Sequence, residues 1–182
     1  MKFILKKLII IVAAAILSTA VLPACTGRIA DLDENERASI YGAVITQLYT
    51  VDHTHGSSPP DIPVIYLIQN TNDKAGDPQA REAASVSIST QLQNGITDYL
   101  DNLPADVVWI DHREDAPMDN GSVVGNGVII TLGNIYSQGF SSVRVAGSIY
   151  FSGEGGGGAT YALKKRNSVW EVTGKTGTSW IS

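Results

Sequence analysis

The three histidines fall in two acid-flanked strings, Asp52-His53-Thr54-His55 and Asp111-His112, the latter with Glu114 and Asp115 just beyond. Imidazole and carboxylate are what a divalent cation takes as ligands, and a His-x-His pair on extended chain puts both rings on one side. His53, His55, Asp111 and His112 are therefore the candidate metal ligands. Asp111 and His112 are also the candidates for moving a proton at the mouth of a pocket, although neighbours on a strand face opposite ways. A plainer reading places His53 at a helix carboxyl end, where the dipole favours it, and His55 in a Gly/Ser/Pro loop. Asp111 to Asp115 is then a solvated acidic loop after a strand. No catalytic residue is assigned from these strings, and no cofactor is expected.

Two glycine-containing strings invite stronger readings that their contexts refuse. Lys175-Thr176-Gly177-Thr178-Ser179 resembles the Lys-Thr-Gly strand of serine β-lactamases and penicillin-binding proteins. Those enzymes also need a Ser with a Lys three residues later, and no Ser here has one. Gly174-Lys175-Thr176 is similar to the end of a phosphate-binding loop, which requires a Gly five residues before the Gly-Lys pair; that position is Val169. The string is expected to be a turn. Gly155 to Gly158, after Gly153 and Glu154, is expected to be a flexible hairpin loop between two strands.

The lone cysteine carries a different chemistry. Met1 to Lys7 holds three Lys and no acid, and Leu8 to Leu22 is an uncharged, mostly apolar run of 15 residues. As a helix it would reach about 22 Å, against roughly 30 Å of hydrocarbon core, so it reads as a signal peptide and not as a membrane span. Leu22-Pro23-Ala24-Cys25 then resembles the lipobox of bacterial lipoproteins. That resemblance implies cleavage before Cys25, a diacylglycerol on its thiol, and membrane lipid as a partner. Buried acyl chains at about 0.8 kcal/mol per CH₂ anchor durably when two or three are present. Thr26 follows the Cys; in a host with two membranes this favours the outer one, and otherwise the expected address is the extracytoplasmic face of the cell membrane.

Charge narrows the partners. The chain carries 13 basic and 18 acidic residues, for a net of −5. Removing the leader takes three Lys, leaving ten basic residues and a net of about −8. Such a surface repels phosphate backbones, so nucleic acid is excluded as a partner. A single Cys also forbids an intramolecular disulfide.

Residues 1–24 are thus the signal peptide, 25–32 the lipidated Cys and a short tether, and 33–182 one α+β domain. Asp33 with Glu36 has the spacing of a capping box, and Tyr41, Val44, Ile45, Leu48 and Val51 recur at three and four, a helix with one buried face that stops near His53. Gly56 to Pro60 breaks the chain. Val64 to Ile68 is short, apolar and β-branched, a strand covered on both faces, and a polar loop from Asn70 to about Arg81 closes it. Ile88, Leu92, Ile96, Tyr99, Leu100 and Leu103 predict a second helix, capped by Ser85 or Ser87 and ended by Pro104. Gly95 costs that helix about 1 kcal/mol.

After Pro104 the pattern has period two. Val107 to Ile110, Val128 to Ile135, Ser142 to Phe151, Ala159 to Lys164 and Val169 to Thr173 read as strands of an antiparallel meander whose curved face packs on two helices. Over residues 85 to 182 this order resembles the NTF2-like and cystatin-like cone folds. Tyr161-Ala162-Leu163, then Ser168-Val169-Trp170-Glu171-Val172 and Trp180-Ile181-Ser182, is similar to their closing hairpin. Tyr41, Tyr66, Trp109, Tyr136, Tyr150, Tyr161 and Trp170 are expected to pack the core.

The reading reached from sequence is a non-catalytic cell-envelope lipoprotein that holds a small apolar ligand or an envelope protein at the membrane surface. The alternative is a membrane-anchored hydrolase or lyase using the His/Asp cluster.

Overall fold

The computed structural model describes residues 32–54, 61–81 and 84–182. Helix α1 (Glu34–Thr50) is followed by β1 (Val64–Ile68), α2 (Thr90–Leu100), β2 (Asp106–Ile110), a small hairpin of β3 (Met118–Asp119) and β4 (Ser122–Val123), and four long strands. These are β5 (Val128–Gly139), β6 (Ser142–Ser152), β7 (Gly155–Arg166) and β8 (Val169–Ile181). One six-stranded sheet has the order β2-β1-β5-β6-β7-β8. The class is α+β, with two helices on a mainly antiparallel sheet. Among the described residues no helix is long and apolar enough to cross a membrane.

Asp33 caps α1 by accepting from the Glu36 amide at 2.7 Å. Its buried residues run from Ala38 to Tyr49 around most of the circumference, because α1 is packed between the sheet and α2. Val51 falls outside the helix and is 62% exposed, so the apolar stripe ends at Leu48 and Tyr49. Ser89, not Ser85 or Ser87, caps α2 through the Leu92 amide. The two helices approach closely at glycines. A Cβ on Gly42 would lie 2.2 Å from the Tyr99 ring, and one on Gly95 would lie 3.1 Å from the Ala38 methyl. Gly95 thus trades about 1 kcal/mol of helix propensity for helix contact.

The sheet departs from a simple meander at one end. Strands β5 to β8 are antiparallel neighbours. Strand β1 instead runs parallel to both β2 and β5, with α2 as the crossover from β1 to β2. The cone-fold resemblance, drawn on residues 85 to 182, made no place for such a unit. Burial of β1 on both faces, read from Val64 to Ile68, is the usual mark of a parallel strand. Ile65 and Leu67 join the main core under the helices, while Tyr66 and Ile68 join a smaller cluster with Ile110, Ala116, Val123 and Ile129 on the far face.

The strands are also longer than their sequence patterns. Gly155 to Gly158 is buried in β7, not in a loop, and Lys175 to Ser179 lies within β8, not in a turn. The far face explains the glycines, because the segment after β1 crosses it there. A Cβ on Gly158 would meet the Ala75 carbonyl at 2.1 Å, and one on Gly133 would meet Asp73 Oδ1 at 2.6 Å. Small residues on β5, β6 and β7 make the bed on which residues 73–76 lie. The Trp180 indole pins that segment by donating to the Ala75 carbonyl at 2.8 Å.

Candidate functional site

The chain leaves the carboxyl end of β1 beside the middle of β5, and these two parallel neighbours connect in opposite directions, β1 toward α2 and β2, β5 toward β6. In sheets with parallel strands, ligands bind in the crevice outside such a divergence. Asp73 stands there, in a single 3-10 turn (Asp73–Ala75) capped by the Asn72 side chain. Its Oδ1 accepts from the Asn134 amide at 2.7 Å; its Oδ2 accepts from Asn134 Nδ2 at 3.2 Å and from the Tyr136 hydroxyl. Thr71 Oγ1 donates to Asn134 Oδ1 at 2.9 Å and accepts from the Val86 amide at 2.8 Å, tying the network to the segment before α2. The Asp73 hydrogen bond, then burial, push the Tyr136 hydroxyl above its ordinary pKa, so it remains a donor.

Two β-bulges aim residues at this point. Leu132 and Ile135 pair with Gly147 and Val145, so β5 carries one extra residue at Gly133–Asn134. Ala159 and Thr160 pair with Ser179 and Thr176, so Gly177 and Thr178 are extra in β8, with Gly177 at φ +73°. Bulges re-aim side chains and concentrate beside functional sites.

Asp73 stands between two cavities. One, of about 290 Å³, is lined by Asp77, Arg81, Tyr136, Arg144, Thr160 and the bulge Thr176 to Thr178. The other, of about 630 Å³, is lined by Asn70, Lys74, Thr131, Asp111, His112 and Glu114, among others. Both are polar. Arg144 also lies 5.3 Å from the Tyr136 ring centroid, a cation–π distance.

The histidines part company. His112 is exposed and opens a short 3-10 turn, its backbone amide donating to Asp115 Oδ2 at 2.7 Å; it lines the larger cavity with Asp111. His53 is 5% exposed just beyond the carboxyl end of α1. His55 and Cys25 lie outside the described residues. Among the described residues no three His, Cys, Asp or Glu side chains converge as a metal site.

A second carboxylate cluster occupies the near face. Asp52 pairs with Lys175 at 2.7 Å and accepts from Tyr161 at 3.1 Å and Gln47 at 3.2 Å. Burial, and then the Asp52 charge, hold the Tyr161 hydroxyl well above its ordinary pKa. This is the role of the lysine in the Lys-Thr-Gly string: it closes an ion pair on one face, while Thr176 to Thr178 line a cavity on the other.

Sequence reasoning missed Asp73, Asn134, Arg81 and Arg144, and took Tyr136 for a core residue. Tyr41, Tyr161 and Trp170 are buried core residues, and Tyr66, Trp109 and Tyr150 pack, partly buried, against the two core clusters, whereas Tyr136 is half-buried and bonded to Asp73; the Tyr150 hydroxyl also donates to the Gly121 carbonyl, with the Arg113 guanidinium 3.6 Å above its ring. A signal for Asp73 existed: an apolar run buried on both faces, then Asn70-Thr71-Asn72-Asp73, marks the carboxyl end of a parallel strand. Comparisons with protein families, with curated proteins and with solved structures return no match to this chain.

Proposed function

We propose that this protein is a lipid-anchored envelope module that binds, without transforming, a small zwitterionic solute of amino-acid size. The observation that carries the reading is the smaller cavity beside Asp73, whose lining brings together Arg81, Arg144, Asp73 and Asp77. Guanidinium forks match a carboxylate in two-point contact, and a carboxylate complements an ammonium. At about 290 Å³ the cavity sits at the small end of ligand sites, which start at roughly 300 Å³. Three donors use most of the roughly four acceptor positions of Asp73, which leaves its charge without an ion-pair partner among the described residues. The lipid anchor rests on the lipobox resemblance at Cys25, and mass spectrometry of the mature amino terminus tests it: an acylated Cys25 is expected.

The binding test is thermal unfolding with millimolar amino acids and dipeptides. A ligand at 100 times its Kd adds about 2.7 kcal/mol to stability. Arg81→Ala with Arg144→Ala should abolish the shift. No shift with any zwitterion overturns the reading.

The enzymatic alternative has one observation in its favour: Asp111, His112 and Asp73 line a common cavity. A hydrolytic or lyase activity lost in His112→Ala, with zwitterion binding intact, would move the function there.

A further inference from the structure

The outer ends of two hairpins lie together. The β5–β6 turn is Phe140-Ser141, closed by Gly139 opposite Ser142, and Phe140 is 89% exposed at its tip. Beside it is the β7–β8 turn, where Asn167 and Ser168 both have positive φ and Val169 is 53% exposed. The hairpins are joined by Ser142 pairing with Lys164 and by the Lys165 amide donating to the Ser141 carbonyl at 2.9 Å. This end therefore presents two apolar side chains with Lys164, Lys165 and Arg166 between them.

The amino end of the described chain emerges at the same place. Lys165 forms an ion pair with Glu36 in the first turn of α1, only four residues after Leu32. Cys25 precedes Leu32 by seven residues, a tether that spans at most about 25 Å. A lipid on Cys25 would therefore start its tether from this end of the domain.

We propose that the Phe140 and Val169 hairpin tips are a membrane-docking edge that enters the lipid headgroup region and fixes the orientation of the anchored domain. The inference rests on the lipid-anchor reading for the direction of the tether. Phe140 leads because an aromatic ring partitions into the interface. The charges around it favour that occupant over a strongly anionic surface. Glu36 compensates Lys165, Glu171 lies 4.0 Å from Arg166 and opposite Lys164 in the β7–β8 register, and Asp33 and Glu34 stand at the start of α1, so the edge carries little net charge, and the exposed Lys164 and Arg166 stems flank the apolar tips.

The test uses the full chain purified from membranes and reconstituted in phosphatidylcholine–phosphatidylglycerol vesicles, with and without brominated acyl chains. Phe140→Trp adds an emission over the wild-type background that brominated lipid should cut about twofold. Glu154→Trp, in the β6–β7 turn at the opposite end, should keep its emission. Amino-terminal mass spectrometry on the same sample reads Cys25 independently. Acylated Cys25 with equal emission at 140 in both lipids overturns the docking edge and leaves the anchor standing. An unmodified Cys25 overturns the anchor, and the same quenching then still decides whether the tips enter lipid. Loss of emission at 140 only on self-association in detergent would make this edge a contact between copies and overturn the proposal.

Discussion

Two carboxylates on opposite faces of one sheet are each gripped by a tyrosine hydroxyl and an amide, yet they do different work. On the near face Asp52 also holds the Lys175 ammonium, so its charge is neutralised in place. On the far face Asp73 is held by Asn134 and Tyr136, all neutral donors, in a crevice whose lining also includes two arginines. The first arrangement closes a structure. The second keeps a charge in position for something that arrives from solution, and the two bulges flank the second.

If the far face is a seat built for the segment carrying Asp73, filling its bed should do the greatest damage. Gly158→Val drives a side chain into the Ala75 carbonyl and the Trp180 indole and should cost about 3 kcal/mol, read from the denaturant midpoint. Asp73→Ala strands the Asn134 amide and the Tyr136 hydroxyl and should cost about 2 kcal/mol, together with all zwitterion binding by calorimetry. Lys175→Met removes only a half-exposed ion pair, and about 1 kcal/mol or less is expected, with binding unchanged. Equal losses in the last two variants would erase the distinction between the faces.

Alkaline titration sharpens the same contrast without mutation. Burial lifts Tyr41 to about 12, and Tyr136 and Tyr161 are also raised from the ordinary 10.0. A raised folded-state value means the stabilisation is complete below pH 10 and is lost as pH climbs through the folded value. Tyrosinate absorbance in the folded protein should therefore lag the denatured protein between pH 10 and about 12. Tyr136→Phe should remove a late-titrating hydroxyl from the far face alone.

Much of this was legible from local pattern. Asp33 and Glu36 announced α1, and the alternation from Val143 to Phe151 announced β6, because caps and period-two burial are read from neighbours in sequence. The Asn120-Gly121 turn of β3–β4, both residues at positive φ, was equally readable and went unread. The site was harder. Asp73 and Asn134 are 61 residues apart, and the bulge that turns Asn134 toward Asp73 shows only as one residue too many between Leu132 and Ile135. Gly155 to Gly158 misled for a physical reason: glycine usually means a bend, but here it means that another backbone lies on top. His53 and His112 drew attention by residue type, which says nothing of where a fold sends each one.

The laid-down segment at residues 73–76 also sets an order of events in folding. Its bed is assembled from β5, β6 and β7, and its last tie, from Trp180 to Ala75, closes a loop of 105 residues. Contacts so distant along the chain form late, since each must first overcome the entropy of closing its loop. A nascent chain short of Trp180 would carry paired strands and packed helices while its binding crevice stayed unmade. Ligand competence would then report that the Trp180 tie has closed.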